Sequence, residues 1–195
     1  MNKLLTMAVI VGAVAMSACQ TGPARGVEVT RFHLGQDIPA QAINVEPANP
    51  ADQDSLEFRT YAGIVAEEMA RLGFHQAPLP GAEMIAVVEV SRDSRVDAGR
   101  GSPFSIGIGG GTFGSNVGVG VGTSVGVGGS RGGEISVTQL DVKLKRRSEG
   151  TIVWEGRAIR ETRPGEEDPA TVVRRLAAAM FSQFPGESGQ TIRVD

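Results

Sequence analysis

The chain of 195 residues is poor in cysteine and histidine. It contains one cysteine and two histidines, so no intrachain disulfide can form and a soft metal site has almost no ligands. The formal net charge is −3, which does not favour nucleic-acid binding, because such binding needs an excess of basic residues. Stability must therefore come from an apolar core rather than from covalent cross-links.

The cysteine, Cys19, follows a segment that is typical of protein export. Lys3 precedes about a dozen mainly apolar residues, too few to span a bilayer, and small residues stand just before the cysteine. The run Met16-Ser17-Ala18-Cys19 resembles a bacterial lipoprotein signal, in which the thiol receives a diacylglyceryl group and the chain is cut before it. Met16 stands where the usual pattern has Leu. The alternative is an ordinary signal peptide with an incidental cysteine.

This pattern predicts three parts of the chain. Residues 1–18 are a lipoprotein signal peptide, residues 19–26 a lipidated tether, and residues 27–195 one domain. The predicted lipid attachment site is Cys19, where acyl chains such as palmitate would insert into the membrane. Gln20 follows the cysteine, whereas Asp there marks retention at the inner membrane in many Gram-negative bacteria. We therefore expect an outer-membrane anchor facing the periplasm.

The domain is predicted to be α+β, with a mostly antiparallel sheet and two helices packed on one face. Trp154 is expected to anchor the core, and a bulge is expected near Thr138–Gln139, where the apolar alternation changes phase. The patterns of apolar and β-branched residues predict strands at residues 27–32, 42–45, 84–90, 135–145, 151–160 and 191–194.

Two segments have helical periodicity. The first begins with a predicted capping box, Asp54 and Glu57, and stops at Gly73. Its apolar stripe consists of Phe58, Ala62, Val65, Met69 and Leu72. The second begins at Asp168-Pro169, with Asp as N-cap and Pro in the first turn. Its apolar stripe consists of Val173, Leu176, Ala177, Met180 and Phe184.

Residues 101–133 form a glycine-rich insert, and no charge appears between Arg100 and Arg131. Valine and glycine alternate over much of residues 117–128, which favours an extended glycine-rich hairpin. A largely disordered loop and a membrane-inserted helix are the alternatives. The helix is disfavoured because each glycine costs about 1 kcal/mol relative to alanine.

No motif in the sequence predicts catalysis, a cofactor or a metal. Gly109, Gly111 and Gly114 match a dinucleotide-binding fingerprint, but neither a helix pattern nor the required acidic residue follows. We interpret the carboxylates of residues 166–168 as helix capping rather than an acid–base pair.

Several basic residues occur close together in the strand predicted at 135–145 and just after it. They are Lys143, Lys145, Arg146 and Arg147. Such a run is usually a solvated sheet face, and the alternative is a surface for anionic lipid head groups or an acidic partner.

Taken in order, these features resemble a family of bacterial envelope lipoproteins catalogued as domain of unknown function 4136. The resemblance covers about residues 27–186. It rests on the helix end Met69-Ala70-Arg71-Leu72-Gly73-Phe74, the apolar strand 84–90, the glycine-rich insert, the strand Thr151-Ile152-Val153-Trp154-Glu155-Gly156-Arg157-Ala158 and the ending Phe184-Pro185-Gly186. It implies an α+β domain on a lipid anchor, with no established activity and no catalytic residue.

The function that we expect is therefore non-enzymatic interaction or envelope maintenance by a lipid-anchored periplasmic domain. Its partners would be the membrane, through the N-terminal lipid, and an envelope protein, through residues 103–129. One alternative is a carrier or sensor that binds an apolar ligand between sheet and helices. Another is a hydrolase whose site is built from distant residues.

Overall fold

The structure, a computed structural model, describes residues 26–96 and 134–195. Cys19, the predicted signal peptide and the predicted glycine-rich hairpin lie outside these ranges. Within the described ranges, seven strands and two α-helices confirm the α+β class. The strands are β1 (Val27–His33), β2 (Ala42–Pro47), β3 (His75–Gln76), β4 (Met84–Val96), β5 (Glu134–Arg146), β6 (Ile152–Thr162) and β7 (Thr191–Val194). The helices are α1 (Leu56–Arg71) and α2 (Pro169–Phe181).

The strands form one sheet in the order β3-β2-β4-β5-β6-β1-β7. Strand β2 is parallel to both β3 and β4, and the other neighbouring pairs are antiparallel. The prediction of a mostly antiparallel sheet was therefore wrong, because the sheet is mixed. The parallel pairs arise because α1 returns the chain from the end of β2 to the start of β4, and such a crossover joins parallel strands.

The bulge predicted near Thr138–Gln139 is also misplaced. Strand β5 keeps a continuous register at both residues with its two neighbours, and the irregularity lies between Leu144 and Lys145, opposite β6. The phase change in the sequence has another cause: Ile135 lies beside Arg95 on the opposite face of the sheet from Leu140.

The two helices contact each other and cover one face of the sheet. Helix α2 packs against β1, β5 and β6, and α1 packs against β2, β3 and α2. The predicted α2 N-cap is confirmed, since Asp168 accepts a hydrogen bond from Thr171 N at 3.0 Å. Of its predicted stripe, Val173, Leu176, Ala177 and Met180 are buried, whereas Phe184 follows the helix and packs partly buried on the core.

Helix α1 differs from its prediction in both cap and orientation. Ser55, not Asp54, is the N-cap and accepts a hydrogen bond from Phe58 N at 3.3 Å. Val65 and Met69 of the predicted stripe are fully buried, and its other three residues pack partly buried on the core. Tyr61, Ile64 and Glu68 are buried as well, so the most buried face is rotated toward them relative to the prediction. The reason is that α1 lies against α2 as well as against the sheet, and two neighbours select a different set of side chains than one.

Candidate functional site

The face of the sheet away from the helices, called here the open face, carries a groove of about 400 Å³. Alternation along each strand places its side chains there, because successive residues point to opposite sides. The groove is lined by Glu28, Thr30, Phe32, Asp141, Lys143, Glu155, Gly156, Arg157, Ile159 and Thr191. Sequence analysis considered only one of these residues, Lys143, as part of the basic run.

Charges of both signs alternate at the centre of the open face. Arg157 Nε lies 2.8 Å from Asp141 Oδ1, and the two residues are cross-strand neighbours. Lys143 and Glu155 are the next such pair along the same strands. Within the described ranges, neither Lys143 nor Glu155 belongs to an ion pair of 4.0 Å or less.

The predicted basic run is divided by the fold. Lys145 Nζ lies 3.9 Å from Glu46 Oε2 on the open face. Arg147 Nε donates to the carbonyl oxygen of Ala82 at 2.5 Å, and Arg146 donates to Gln36 at 3.5 Å. Of the four residues, only Lys143 points from the open face without an ion-pair partner among the residues described. A single basic surface for lipid head groups does not form here.

Cross-strand register identifies the strand ends that lie together at one end of the sheet. Glu28, at the start of β1, pairs with Ile159, which pairs with Gln139 of β5, which in turn pairs with Ser91 of β4. Strand β4 continues beyond this row to Val96, opposite the start of β5. The chain therefore enters the domain and departs toward residue 97 at the same end of the sheet. The hairpin between β5 and β6 lies at the other end.

Trp154 forms the centre of the core beside the end of α2. Its ring stacks on Phe181 with centroids 5.6 Å apart and lies 5.3 Å from Phe184, and it has no exposed surface. Its indole Nε1 donates to the carbonyl oxygen of Pro185 at 3.0 Å. The Trp-containing strand and the Phe-Pro-Gly ending, which were recognised separately in the sequence, are thus one packing unit.

Arg31 is a buried cation that sequence analysis missed. Its guanidinium donates to the carbonyl oxygens of Ala179, Met180 and Ser182, each at 2.9 Å, and burial lowers its pKa. Arginine stays protonated at neutral pH, so the charge complements the carbonyl end of α2. Glycine at position 186 leaves room for the Arg31 side chain, since a Cβ there would lie 2.6 Å from Arg31 Cδ. Alternation with Val27 and Val29 is the signal that places Arg31 inward.

The histidines are held in ways that do not suggest a nucleophile–base pair. His33 Nε2 lies 3.2 Å from the carbonyl oxygen of Gly186, and Nδ1 accepts from Gly35 N at 3.1 Å. Ser188 Oγ contacts the backbone of His33, not its ring. His75 is exposed on the edge strand β3. General-base catalysis by the His33 ring would require breaking these contacts.

Asp168 caps the start of α2, as predicted, whereas Glu166 and Glu167 have other partners. Asp168 binds the backbone and hydroxyl of Thr171, and these hydrogen bonds hold the pKa of Asp168 below its usual value. Glu166 accepts from Arg163 N at 3.0 Å. Glu167 lies 2.7 Å from Arg160 and 3.1 Å from Arg175. Each carboxylate therefore has a structural partner.

Residues 26–96 and 134–195 contain neither a cluster of metal ligands nor a membrane-spanning helix. No cluster of three or more histidine, cysteine, aspartate or glutamate side chains occurs there that could hold a metal ion. Neither helix of this part of the chain is long and apolar enough to cross a bilayer.

Over the described residues, the fold is a two-layer α+β domain whose two helices cover one face of the sheet. The chain belongs to the family described as "Domain of unknown function (DUF4136)", whose profile matches residues 33–186. It is also similar to an uncharacterized protein of Zymomonas mobilis subsp. mobilis, with 33% identity over 211 residues, covering 86% of this chain and 80% of that protein. The resemblance drawn from the sequence is thereby confirmed.

Two solved structures of low sequence identity are similar to the chain to different degrees. A PDZ domain protein from Parabacteroides distasonis superposes with a TM-score of 0.53 and 11% identity, covering 88% of this chain. The match spans 39% of that protein's chain, so the likeness concerns the fold of one part of it. A PelC dodecamer from Paraburkholderia phytofirmans gives a TM-score of 0.45 at 15% identity, over 80% of this chain and 95% of that one.

Proposed function

We propose that this protein is a lipid-anchored domain of the bacterial cell envelope that binds another envelope component and does not catalyse a reaction. The anchor would be Cys19, and the contact would involve residues 103–129 together with the end of the sheet next to them. The observation that supports this proposal most directly is that the chain enters β1 and leaves β4 at the same end of the sheet.

The lengths of the tether and of strand β4 indicate how the domain would be oriented toward the membrane. Eight residue steps separate Cys19 from Val27, which allows a tether of at most about 29 Å. Strand β4 extends five residues beyond Ser91, or about 17 Å beyond the row that contains Glu28. A domain anchored at Cys19 would therefore direct the tip of β4 and β5 toward the membrane. A partner of residues 103–129 would then lie at or near the membrane surface.

The carrier alternative gains no support from the interface between sheet and helices. The large side chains at that interface are fully buried, among them Trp154, Leu176 and Met180. Such packing leaves little apolar volume for a ligand. The hydrolase alternative is equally unsupported, because the hydrogen bonds of His33 hold its ring against the backbone after α2.

Site-specific photo-crosslinking in intact cells tests the proposed orientation and partner. A photoreactive amino acid replaces Asp93, which is exposed near the tip of β4, or Glu149, which is exposed in the hairpin at the opposite end. We expect Asp93 to give crosslinks to an envelope protein or lipid, and Glu149 to give none. Replacing residues 103–129 by a Gly-Asn turn should abolish the Asp93 crosslinks.

The same replacement should leave a cooperative melt, because shortening a loop changes only its closure entropy. Crosslinks from Glu149 alone, or Asp93 crosslinks that survive the replacement in a folded protein, would contradict the proposal. A replaced protein that no longer melts cooperatively would show that the insert belongs to the core and not to an interaction surface.

A further inference from the structure

We propose that the open face binds a second copy of this chain, face to face, around a two-fold axis that runs parallel to the strands between β5 and β6. The charge pattern of the open face carries this inference. The choice of axis rests on the proposed function, because it requires both copies to be anchored in one membrane.

The four central charges form two rows, and the order of positive and negative residues across β5 and β6 is reversed between them. In one row β5 contributes Lys143 and β6 contributes Glu155, and in the next row β5 contributes Asp141 and β6 contributes Arg157. A two-fold axis between these strands places β5 of one copy over β6 of the other, row by row. Lys143 then faces Glu155 of the second copy, and Asp141 faces Arg157 of the second copy. Every central charge meets its opposite, which is the self-complementarity that an isologous interface requires.

The strands on either side add apolar contact in the same geometry. Val87 of β4 lies in the row of Lys143, and Phe32 of β1 lies in the row of Glu155. The axis places β4 of one copy over β1 of the other, so Phe32 faces Val87 of the second copy. Phe32 is 46% exposed in the single chain, and burying an exposed aromatic ring favours association.

The second copy would also complete the charge pairing. Asp141 and Arg157 are paired within one chain, whereas Lys143 and Glu155 form no ion pair among the described residues. Stacked sheets lie about 10 Å apart, a separation at which long side chains from both faces interdigitate. Lys143 and Glu155 of two copies can therefore pair across the interface.

The anchor distinguishes between two axes that satisfy the charges. A two-fold axis in the sheet plane but perpendicular to the strands would place Lys143 over Asp141 and Glu155 over Arg157, which also match. It would, however, put the two starts of β1 at opposite ends of the dimer. The axis parallel to the strands puts both tethers at the same end of the dimer, as anchoring in one membrane favours, and confinement to that membrane raises the effective concentration of each copy.

Charge exchange between copies tests this arrangement. The full chain is purified from membranes in a mild detergent, and its mass is measured by sedimentation equilibrium. We expect the unchanged protein to dimerise. Lys143→Glu alone and Glu155→Lys alone should each weaken the dimer at least about tenfold, because each places like charges together twice. An equimolar mixture of these two variants should restore the dimer, since each then meets its opposite.

Arg59→Glu is the matched control, a charge reversal on the exposed surface of α1, and it should leave the dimer unchanged. A monomer at every concentration, a mixture that stays monomeric, or equal weakening by Arg59→Glu would overturn the inference. Restoration by mixing Lys143→Glu with Asp141→Lys instead would establish the perpendicular axis and overturn the parallel one. Fatty-acid labelling of the same preparations reports on the anchor separately, so a labelled monomer refutes the dimer and an unlabelled dimer refutes the anchor.

Discussion

Gly156→Ala should destabilise the domain although it adds only one methyl group. A Cβ at this position would lie 2.2 Å from Trp154 Cη2 and 2.9 Å from Met180 Cγ. Neither neighbour can move easily, because both side chains are fully buried and the indole is fixed by stacking on Phe181 and by its hydrogen bond to Pro185. Glycine at 156 is therefore required by the space that the tryptophan occupies.

The size of the destabilisation by Gly156→Ala follows from free-energy terms of opposite sign. Alanine reduces the entropy of the unfolded chain, which stabilises by about 0.4–1 kcal/mol, and the added methyl contributes about 0.8 kcal/mol of burial. Overpacking a rigid core costs about 1–3 kcal/mol. The contact between the new Cβ and the Trp154 ring is so short that its cost lies at or above the upper end of this range. We expect a net loss of about 1–2 kcal/mol in the free energy of unfolding, or about 2–8 °C in Tm for a domain of this size.

Denaturant titrations followed by circular dichroism measure this loss in the full chain. Gly63→Ala is the control, because Gly63 is exposed in α1 and a Cβ added there would meet no atom within 4 Å, so it should stabilise by about 0.5–1 kcal/mol. In a Trp154→Phe background, which lacks the second ring, Gly156→Ala should cost at least about 1 kcal/mol less. A neutral Gly156→Ala, or the same cost in both backgrounds, would refute the steric argument.

Three further predictions concern single side chains. Trp154 should emit in the blue range in the native state and shift to the red in denaturant, and Trp154→Ala should cost about 3–5 kcal/mol; a red, readily quenched native emission would contradict its burial. Arg31→Ala should destabilise by about 1.5–3 kcal/mol in urea titrations, because three carbonyl oxygens at the end of α2 lose a charged donor, and a loss below about 0.5 kcal/mol, the size of a surface change, would be inconsistent with that role. The folded-state pKa of Asp168 is lowered, so its contribution to stability is present above the unfolded pKa, near 4, and is lost as pH falls through the folded pKa. Asp168→Asn should therefore lose less stability than the unchanged protein below about pH 4 in acid titrations. Parallel titration curves of the two proteins would contradict this.

The elements that sequence analysis located correctly have strong local signals. Asp168 and Pro169 start α2 because a capping carboxylate and a proline both suit the first turn, and Gly73 ends α1 with a φ of +92°. The burial of Trp154 could be predicted from its place in an apolar strand. In each case the physical cause lies within a few residues of the feature.

The errors concern relations between distant parts of the chain. The parallel pairing of β2 with β4 depends on the crossover through α1, and a strand–helix–strand order was the signal that could have indicated it. The rotation of the α1 stripe depends on contact with α2, about a hundred residues further on. The self-complementary rows of the open face require the register of β5 against β6, which alternation alone does not give.

Lipid attachment at Cys19 is the central claim, and metabolic labelling with a fatty-acid analogue tests it most directly. The full chain and its Cys19→Ser variant are expressed in a Gram-negative host, immunoprecipitated and compared for label and for recovery in the membrane fraction. Acyl chains contribute about 0.8 kcal/mol per buried CH₂, so the unchanged protein should be labelled and remain with membranes. The variant should lose the label and leave the membrane fraction or persist as the uncleaved precursor. An unlabelled native protein, or a Cys19→Ser variant that is still labelled, would contradict lipid attachment at this residue.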